Sequence, residues 1–346
     1  LADAESPNAT ATLRRMDARV LRTTLIAPVP EQCITVDRDG LQLSRVVREA
    51  AGEGLSWNKA RELCTSGRVK LNGRPITDPA TRIASGDQVS FDRTAPRARK
   101  GVLPAERIVH LDGDVVVVNK PAGIMSVPFE DEKDTLIDIT RAALRAQQKR
   151  SGFDPELGIV HRIDIDTTGL LVFTRNLEAK RQLQQQFRVH SVHRRYLALV
   201  HGNLVGRTFD SVLIRDRGDG LRGSFGVFRA PRGKPPADAQ RAITHARVLE
   251  RFEQGATLVE CALETGRQHQ IRIHLSEAGC PLLGERVYIR DYQGPRIEAA
   301  RPMLHAAELG FVHPRTGRQL SFRIEPPEDF ARLLAGFTPL GGRGAR

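Results

Sequence analysis

The sequence predicts an α+β protein of two folded units, a small helix–helix–hairpin module followed by a larger domain. Three observations carry this expectation. The chain has 346 residues, more than the ~250–300 that a single core usually organises. Between residues 41 and 91, apolar residues recur first at helical spacing and then in short runs bounded by turn residues. Beyond residue 106, continuous apolar runs suited to buried strands alternate with segments of helical pattern.

The elements follow in order. Residues 1–33 read as a disordered N-terminal extension, with order beginning near Ile34. Leu41, Leu43, Val46, Val47 and Ala50 have roughly helical spacing. Ser56 reads as the N-cap of a second helix carrying Ala60 and Leu63, which Ser66-Gly67 ends. Val69–Leu71 is a short strand, and Asn72-Gly73 a tight hairpin turn that needs positive φ. Gly86-Asp87 is a second turn before a strand at Val89–Phe91, which completes a module spanning 34–92. Residues 93–105 form a linker whose first part, RTAPRARKG, is basic and punctuated by Pro and Gly. Residues 106–336 form the large domain. Val115–Val118, Leu170–Thr174 and Tyr196–Val200 read as buried strands, and Leu136–Gln147 and Glu178–Phe187 as helices. Residues 215–240, rich in Arg, Gly and Pro with Phe225 and Phe228, read as a long surface loop or extended hairpin. Residues 337–346 form a flexible basic tail, and no internal repeat is found.

Composition narrows the function classes. Lys and Arg exceed Asp and Glu by 53 to 41, a formal net charge of +12, which points to a polyanionic partner. Cys33, Cys64, Cys261 and Cys280 include no CxxC pair, which argues against a zinc knuckle or a redox dithiol. The chain therefore reads as reduced and cytoplasmic. No run approaches the ~18–20 apolar residues of a bilayer span. Near the start, Arg14, Arg15, Arg19 and Arg22 are not followed by an apolar core, so no secretory signal is expected. The same arginines leave an organelle-targeting peptide, and so an organelle matrix, as the alternative, against which Asp3, Glu5 and Asp17 argue.

The segment of densest chemistry is GIVHRIDIDTTGLLVFT, residues 158–174. His161, Arg162, Asp164, Asp166, Thr167 and Thr168 crowd together directly before a buried strand. Polar groups beside a core are costly unless paired, so the cluster is either a hydrogen-bonded turn or a site. His269 and His274 are five apart, poor spacing for two ligands on one helix face, and no metal site is expected.

Ordered blocks then carry a resemblance. HRIDIDTTG, residues 161–169, is similar to the HRLDxxTSG signature of the RluA/RluC/RluD family of pseudouridine synthases, with Ile163 for Leu and Thr168 for Ser. Residues 114–123, DVVVVNKPAG, resemble that family's entry strand and Lys-Pro-x-Gly turn. Residues 194–202, RRYLALVHG, resemble its (K)xYxAxVxG strand, with Arg195 where Lys is usual. Residues 265–274, TGRQHQIRIH, resemble its TGRTHQIRxH block, with Gln268 for Thr or Ser. GERVY, residues 284–288, stands where GDxxYG is usual, so Glu285 replaces Asp and Ile289 the final Gly. Arg301-Pro-Met-Leu-His305 and His313-Pro314 complete the pattern. The module before it resembles an S4 RNA-binding domain through Ser56, Ala60, Leu63, Gly67, Val69, Leu71, Asn72-Gly73 and Gly86-Asp87. Trp57 stands there where that family often has Arg.

The resemblance implies a central mixed, mostly antiparallel sheet flanked by helices and loops. It implies isomerisation of uridine to pseudouridine in structured RNA, most of all large-subunit ribosomal RNA, by a monomer that needs no cofactor or metal. Asp164 maps onto the essential aspartate, Arg272 onto its cationic partner, and Tyr196 onto a residue that stacks on uracil and helps remove the C5 proton. A cation within ~4–6 Å would favour the ionised carboxylate. Arg162 is suited to fill the stack that a flipped base vacates. Lys59, Arg61, Arg68 and Lys70 are the expected phosphate contacts of the small module. Asp166, His161, Thr167 and Thr168 are expected to brace the turn, and Gly266 and Arg267 to be structural. Rival readings are a non-catalytic RNA-binding protein with a degenerate synthase domain, a synthase acting on transfer RNA, and a metal-dependent hydrolase built on scattered histidines.

Overall fold

The computed structural model describes residues 32–52, 55–65, 68–76, 79–93, 102–128, 134–147, 155–230 and 233–340. The disorder expected of 1–33 is corrected at its end, because Gln32 and Cys33 pair with Phe91 and Ser90 in a strand. Residues 1–31, the helix stop at Ser66-Gly67, most of the 93–105 linker and the end of the 337–346 tail lie outside the described residues.

The small module comprises β1 (Gln32–Thr35), β2 (Leu41–Gln42), α1 (Leu43–Ala50), α2 (Trp57–Thr65), β3 (Val69–Leu71), β4 (Arg74–Pro75), β5 (Arg82–Ile83) and β6 (Gln88–Phe91). Leu41 belongs to a strand and not to the helix, because it pairs with Ile83 across β2 and β5. The helical stripe therefore starts at Leu43, and Leu43, Val46 and Val47 bury against Ala60, Leu63 and Cys64 of α2. Ser56 Oγ accepts the Lys59 N–H at 3.2 Å, so the expected cap holds the first turn of α2. Asn72 and Gly73 have φ of 51° and 77°, which the two-residue turn between β3 and β4 requires.

In the large domain a short 3-10 turn precedes β7 (Ile108–Leu111) and β8 (Val115–Lys120). Then come α3 (Leu136–Gln147), β9 (Gly158–Ile159), β10 (Thr168–Thr174), α4 (Leu177–Arg188), β11 (His193–His201), β12 (Arg207–Ile214) and β13 (Gly223–Ser224). The chain continues through β14 (Gln240–Phe252), β15 (Ala256–Leu263), α5 (Gln270–Glu277), β16 (Leu304–Val312), β17 (Gln319–Arg323) and α6 (Glu328–Ala335). These strands form one sheet in the order β13-β12-β14-β15-β11-β16-β10-β8-β7, with β17 on β16 and β9 on β10. All pairings are antiparallel except β10 with β16. The sheet is thus mixed and mostly antiparallel, with helices against it.

The apolar runs follow from burial on both faces. Val116 and Val118 of β8 and Leu171 and Phe173 of β10 face a core completed by Leu136, Ile137 and Leu144 of α3 and Ile271 and Leu275 of α5. Val115, Val117, Leu170 and Val172 face the other way, onto Leu183 of α4 and Val192. The 215–240 segment is a loop around the short strand β13, as expected, but its first half is docked. Arg217 pairs with Asp219 at 3.1 Å and Asp291 at 2.9 Å, and Ser224 Oγ donates to Glu277 at 2.6 Å.

Candidate active site

The segment joining β9 to β10 carries Asp164, and its backbone is pinned one carbonyl after another. Ser126 Oγ donates to Ile163 O at 2.6 Å. Thr167 N donates to Asp164 O at 3.1 Å. Gly123 N donates to Ile165 O at 2.9 Å, and Lys120 Nζ to the same oxygen at 2.6 Å. Arg301 Nη1 donates to Asp166 O at 3.1 Å, and Lys120 Nζ to Thr167 O at 2.9 Å. The Lys-Pro-x-Gly and Arg-Pro-Met-Leu-His blocks are therefore clamps on this turn. Lys120 is fully buried and also reaches Pro121 O at 3.0 Å, so three carbonyls solvate its charge. Gly169 closes the turn. Its φ is +115°, and a Cβ there would lie 2.3 Å from Ala306 O, where β10 meets β16.

Lys120→Met should lower stability by about 2 kcal/mol, because buried carbonyls lose a charged donor. It should also reduce the single-turnover rate more than RNA affinity, because the Asp164 backbone loosens. Thermal melts and single-turnover kinetics test this; an unchanged rate would contradict the clamp.

Asp164, Arg162, Tyr196 and Arg272 all line one cavity of about 590 Å³. Arg272 Nη1 stands 3.6 Å from Asp164 Oδ2. Arg272 is buried in α5 and uses its other edge on Glu285, with Nε to Oε2 at 2.8 Å and Nη2 to Oε1 at 2.7 Å. Glu285 is fully buried and also accepts backbone N–H groups of Arg286, Val287 and Tyr288. Burial alone would raise the Glu285 carboxyl and lower Arg272; the bidentate pair outweighs it, holding the first low and pushing the second up. The guanidinium is thus fixed side-on, with one nitrogen left to face Asp164.

Tyr196 is buried at the β11 bulge between Arg195 and Tyr196. Burial pushes its phenol up to about 12; Arg194 opposes this, and Asp164 adds to it. The phenol is therefore protonated near neutrality, which suits ring contact and hydrogen-bond donation better than proton removal. Arg162 is exposed where it lines the cavity. Lys59 and Arg61 are exposed and Arg68 and Lys70 half-buried, all in the small module and none in this cavity.

His161, Thr168 and Asp166 brace the turn in different ways. His161 Nε2 accepts the Val172 N–H at 3.1 Å while its ring stacks on Phe187 at 4.6 Å. Burial, with Arg194 nearby, holds this imidazole down at about 3, so it is neutral. Thr168 Oγ1 meets His305 Nδ1 at 2.9 Å. Asp166 contributes its backbone carbonyl, to Arg301. Arg267 also lines the cavity, and its Nε donates to Arg241 O at 3.0 Å.

Sequence reasoning missed several residues. Arg194 lines the cavity and donates to Glu264 O at 2.7 Å; a Cβ on Gly266 would stand 2.6 Å from its Nη1, so that glycine makes room for it. His269 occupies the left-handed region at φ 59°, which turns its side chain to the cavity and onto the Tyr288 hydroxyl at 2.8 Å. Leu221 packs with Tyr288, and the field of the next residue, Arg222, reaches both Tyr288 and His269. Asp112, Asp114 and His313 form a compact cluster elsewhere. Its donors are already assigned: His313 Nδ1 accepts the Arg315 and Thr316 N–H groups, so its Nε2 carries the proton given to Asp112 at 3.0 Å. Burial would raise the Asp112 carboxyl, but N–H groups of Val115 and Asp114, the His110 ring at 2.7 Å and His313 hold it at about 2. His274 is engaged at both nitrogens, by Thr244 and Ser211.

Comparison with known proteins points the same way. The RNA pseudouridylate synthase family model matches residues 114–277, and the S4 domain model matches residues 44–89. Ribosomal large subunit pseudouridine synthase D of Zymomonas mobilis is 36% identical over 319 residues, covering 89% of this chain and 97% of that protein. The uncharacterized RNA pseudouridine synthase YlyB of Bacillus subtilis is 38% identical over 300 residues, covering 84% and 93%. The solved structure of Human RNA Pseudouridylate Synthase Domain Containing 4 shares the fold, with a TM-score of 0.53 at 24% identity over 66% of this chain and 92% of that one.

Proposed function

We propose that this chain, which belongs to the RNA pseudouridylate synthase family and converts uridine in RNA to pseudouridine, acts on large-subunit ribosomal RNA with Asp164 as its central catalytic carboxylate. The observation that carries the catalytic assignment is the pairing of Asp164 with Arg272 at 3.6 Å in a cavity that Tyr196 also lines. The ribosomal assignment is supported by the S4 domain, by the basic balance of the chain and by relatives named for the large subunit.

The reaction breaks the uracil N1–C1′ bond, turns the base, joins C5 to C1′, moves a proton from C5 and returns one to N1. No electrons enter or leave, so the chemistry itself calls for no redox group. A stacked uridine must first leave its helix, at a cost of a few kcal/mol. Arg162, exposed where it lines the cavity, is suited to take the vacated place, since a planar guanidinium can stack and hydrogen-bond together. Asp164 then meets the sugar, either attacking C1′ or taking the C2′ proton; both use an ionised carboxylate beside a carbon with oxocarbenium character. Arg272, 3.6 Å away, orients that carboxylate. Tyr196 offers its ring to the uracil. Lys59, Arg61, Arg68 and Lys70 supply phosphate contacts away from the reacting nucleotide.

The same reading takes the enzyme as a monomer, and relatives named for the ribosomal large subunit support a cytoplasmic enzyme. Among the described residues no helix is long and apolar enough to cross a membrane. Pseudouridine mapping in cells lacking the gene tests the substrate. The expected outcome is loss of one or more sites in large-subunit ribosomal RNA, restored by the wild-type gene. Losses confined to transfer RNA would overturn the ribosomal assignment.

A further inference from the structure

Trp57 is the chain's single tryptophan and stands where S4-like modules often carry arginine. It opens α2, and at 43% exposure it is among the large apolar side chains left open to solvent. The neighbouring core between α1 and α2 is filled by Ala60, Leu63, Val46 and Val47, so the indole lies outside it. The indole is nonetheless held in place. The Arg48 guanidinium lies over its ring, 4.5 Å from the centroid, and Arg48 Nε finds no hydrogen-bond partner among the described residues. Arg48 thus stiffens the indole from one side and makes the ring more electron-poor toward the other. Arg61 follows one turn later on the same face of α2 and is exposed. α2 has no acid in its first turn. An exposed indole backed by one arginine and flanked by another fits a flat, electron-rich ligand that carries phosphates.

We infer that Trp57 is a stacking platform for an unpaired base of the substrate RNA, with Arg48 behind it and Arg61 beside it taking adjacent phosphates. The inference rests on the RNA-substrate reading above and adds to it a contact that charge alone would not make. Every base has a π face, so the contact tolerates sequence while favouring single-stranded or looped RNA. It also changes the salt signature: exchanging a phosphate-binding arginine for tryptophan trades a counterion-releasing contact for one that salt hardly affects.

Because Trp57 is the only tryptophan, its emission reports this contact directly in the full-length protein. A labelled stem–loop RNA is titrated by anisotropy while tryptophan emission is followed. Quenching that saturates with the anisotropy curve is expected. Trp57→Ala should weaken binding about tenfold and Trp57→Phe much less, neither changing the slope of log affinity against log salt. Trp57→Arg should restore affinity at low salt and steepen that slope. Arg68→Ala should make the slope shallower. If the RNA binds with emission unchanged and Trp57→Ala binds equally well, the stacking platform is overturned while RNA binding stands. If neither the stem–loop nor a single-stranded oligonucleotide binds the wild-type protein, the RNA reading of the module falls, and this inference with it. Circular dichroism melts of each variant separate lost contact from lost fold, and Trp57→Phe keeps the question answerable should the alanine variant unfold.

Discussion

Arg272→Ala should destabilise the protein by about 3–5 kcal/mol and also remove isomerase activity. The first effect follows from Glu285, whose carboxylate is fully buried and bound side-on by Arg272 at 2.7 and 2.8 Å. Removing one partner strands the other charge in a medium that solvates it poorly. The N–H groups of Arg286, Val287 and Tyr288 would still hold Glu285 but would not neutralise it. The second effect follows from the nitrogen that faces Asp164 at 3.6 Å. Arg272→Lys would keep a charge but not the fork that serves both acids, so it should recover part of the stability and little activity. The decisive variant is the double replacement Arg272→Met with Glu285→Leu. Exchanging a buried ion pair for apolar side chains of similar volume is often neutral or stabilising, but here the N–H groups of Arg286, Val287 and Tyr288 lose their acceptor. The double variant should therefore melt above Arg272→Ala and below wild type, yet remain inactive. Activity at wild-type level in that variant would show that Asp164 needs no guanidinium.

The reacting groups of the site were legible because each sits in a short block whose residue types are constrained together. Asp164 and Arg162 share one block, Arg272 sits in a second and Tyr196 in a third, and all three blocks converge on one cavity. What holds those groups was much less legible. Lys120 clamps carbonyls 45 and 47 residues away, and Arg301 one 135 residues away. Such pairs depend on sheet order, and nothing local announces that β10 lies between β8 and β16. Glu285 stood out only as an exchange of one acid for another, and the identity of its partner needed the fold. The apolar strands β8, β10 and β11 could be read because burial on both faces leaves continuous runs of valine and leucine. The longest strand, β14, could not: before Phe252 at its end, its buried residues are Ala242, Thr244 and Ala246, too small or polar to make an apolar stripe between exposed arginines and glutamate. The 215–240 segment looked like an ordinary loop by composition, and its docking rests on an ion pair to Asp291 and a hydrogen bond to Glu277, neither visible locally.

Asp164→Asn should leave the structure and RNA affinity nearly unchanged while abolishing product formation. The exchange is almost isosteric, the side chain is partly open to the cavity, and its backbone is held independently by the clamps described above. The amide, however, is neither a nucleophile toward C1′ nor a base toward C2′, so the rate should fall by about 10⁴-fold or more. Asp164→Glu keeps the charge but displaces it by a methylene, and a misplacement of ~1 Å can by itself cost ~10²-fold. Together the two variants separate the need for charge from the need for position.

The central claim is that the ionised Asp164 carboxylate, faced by Arg272, carries out the chemistry on a uridine already drawn into the cavity. Its most direct test is single-turnover pseudouridine formation on large-subunit ribosomal RNA by wild-type and Asp164→Asn protein, with both saturated by enzyme and equal RNA binding verified in the same samples. Full conversion by the wild type and no product above background from the variant is the predicted result. Conversion by Asp164→Asn at a rate within tenfold of wild type would contradict it.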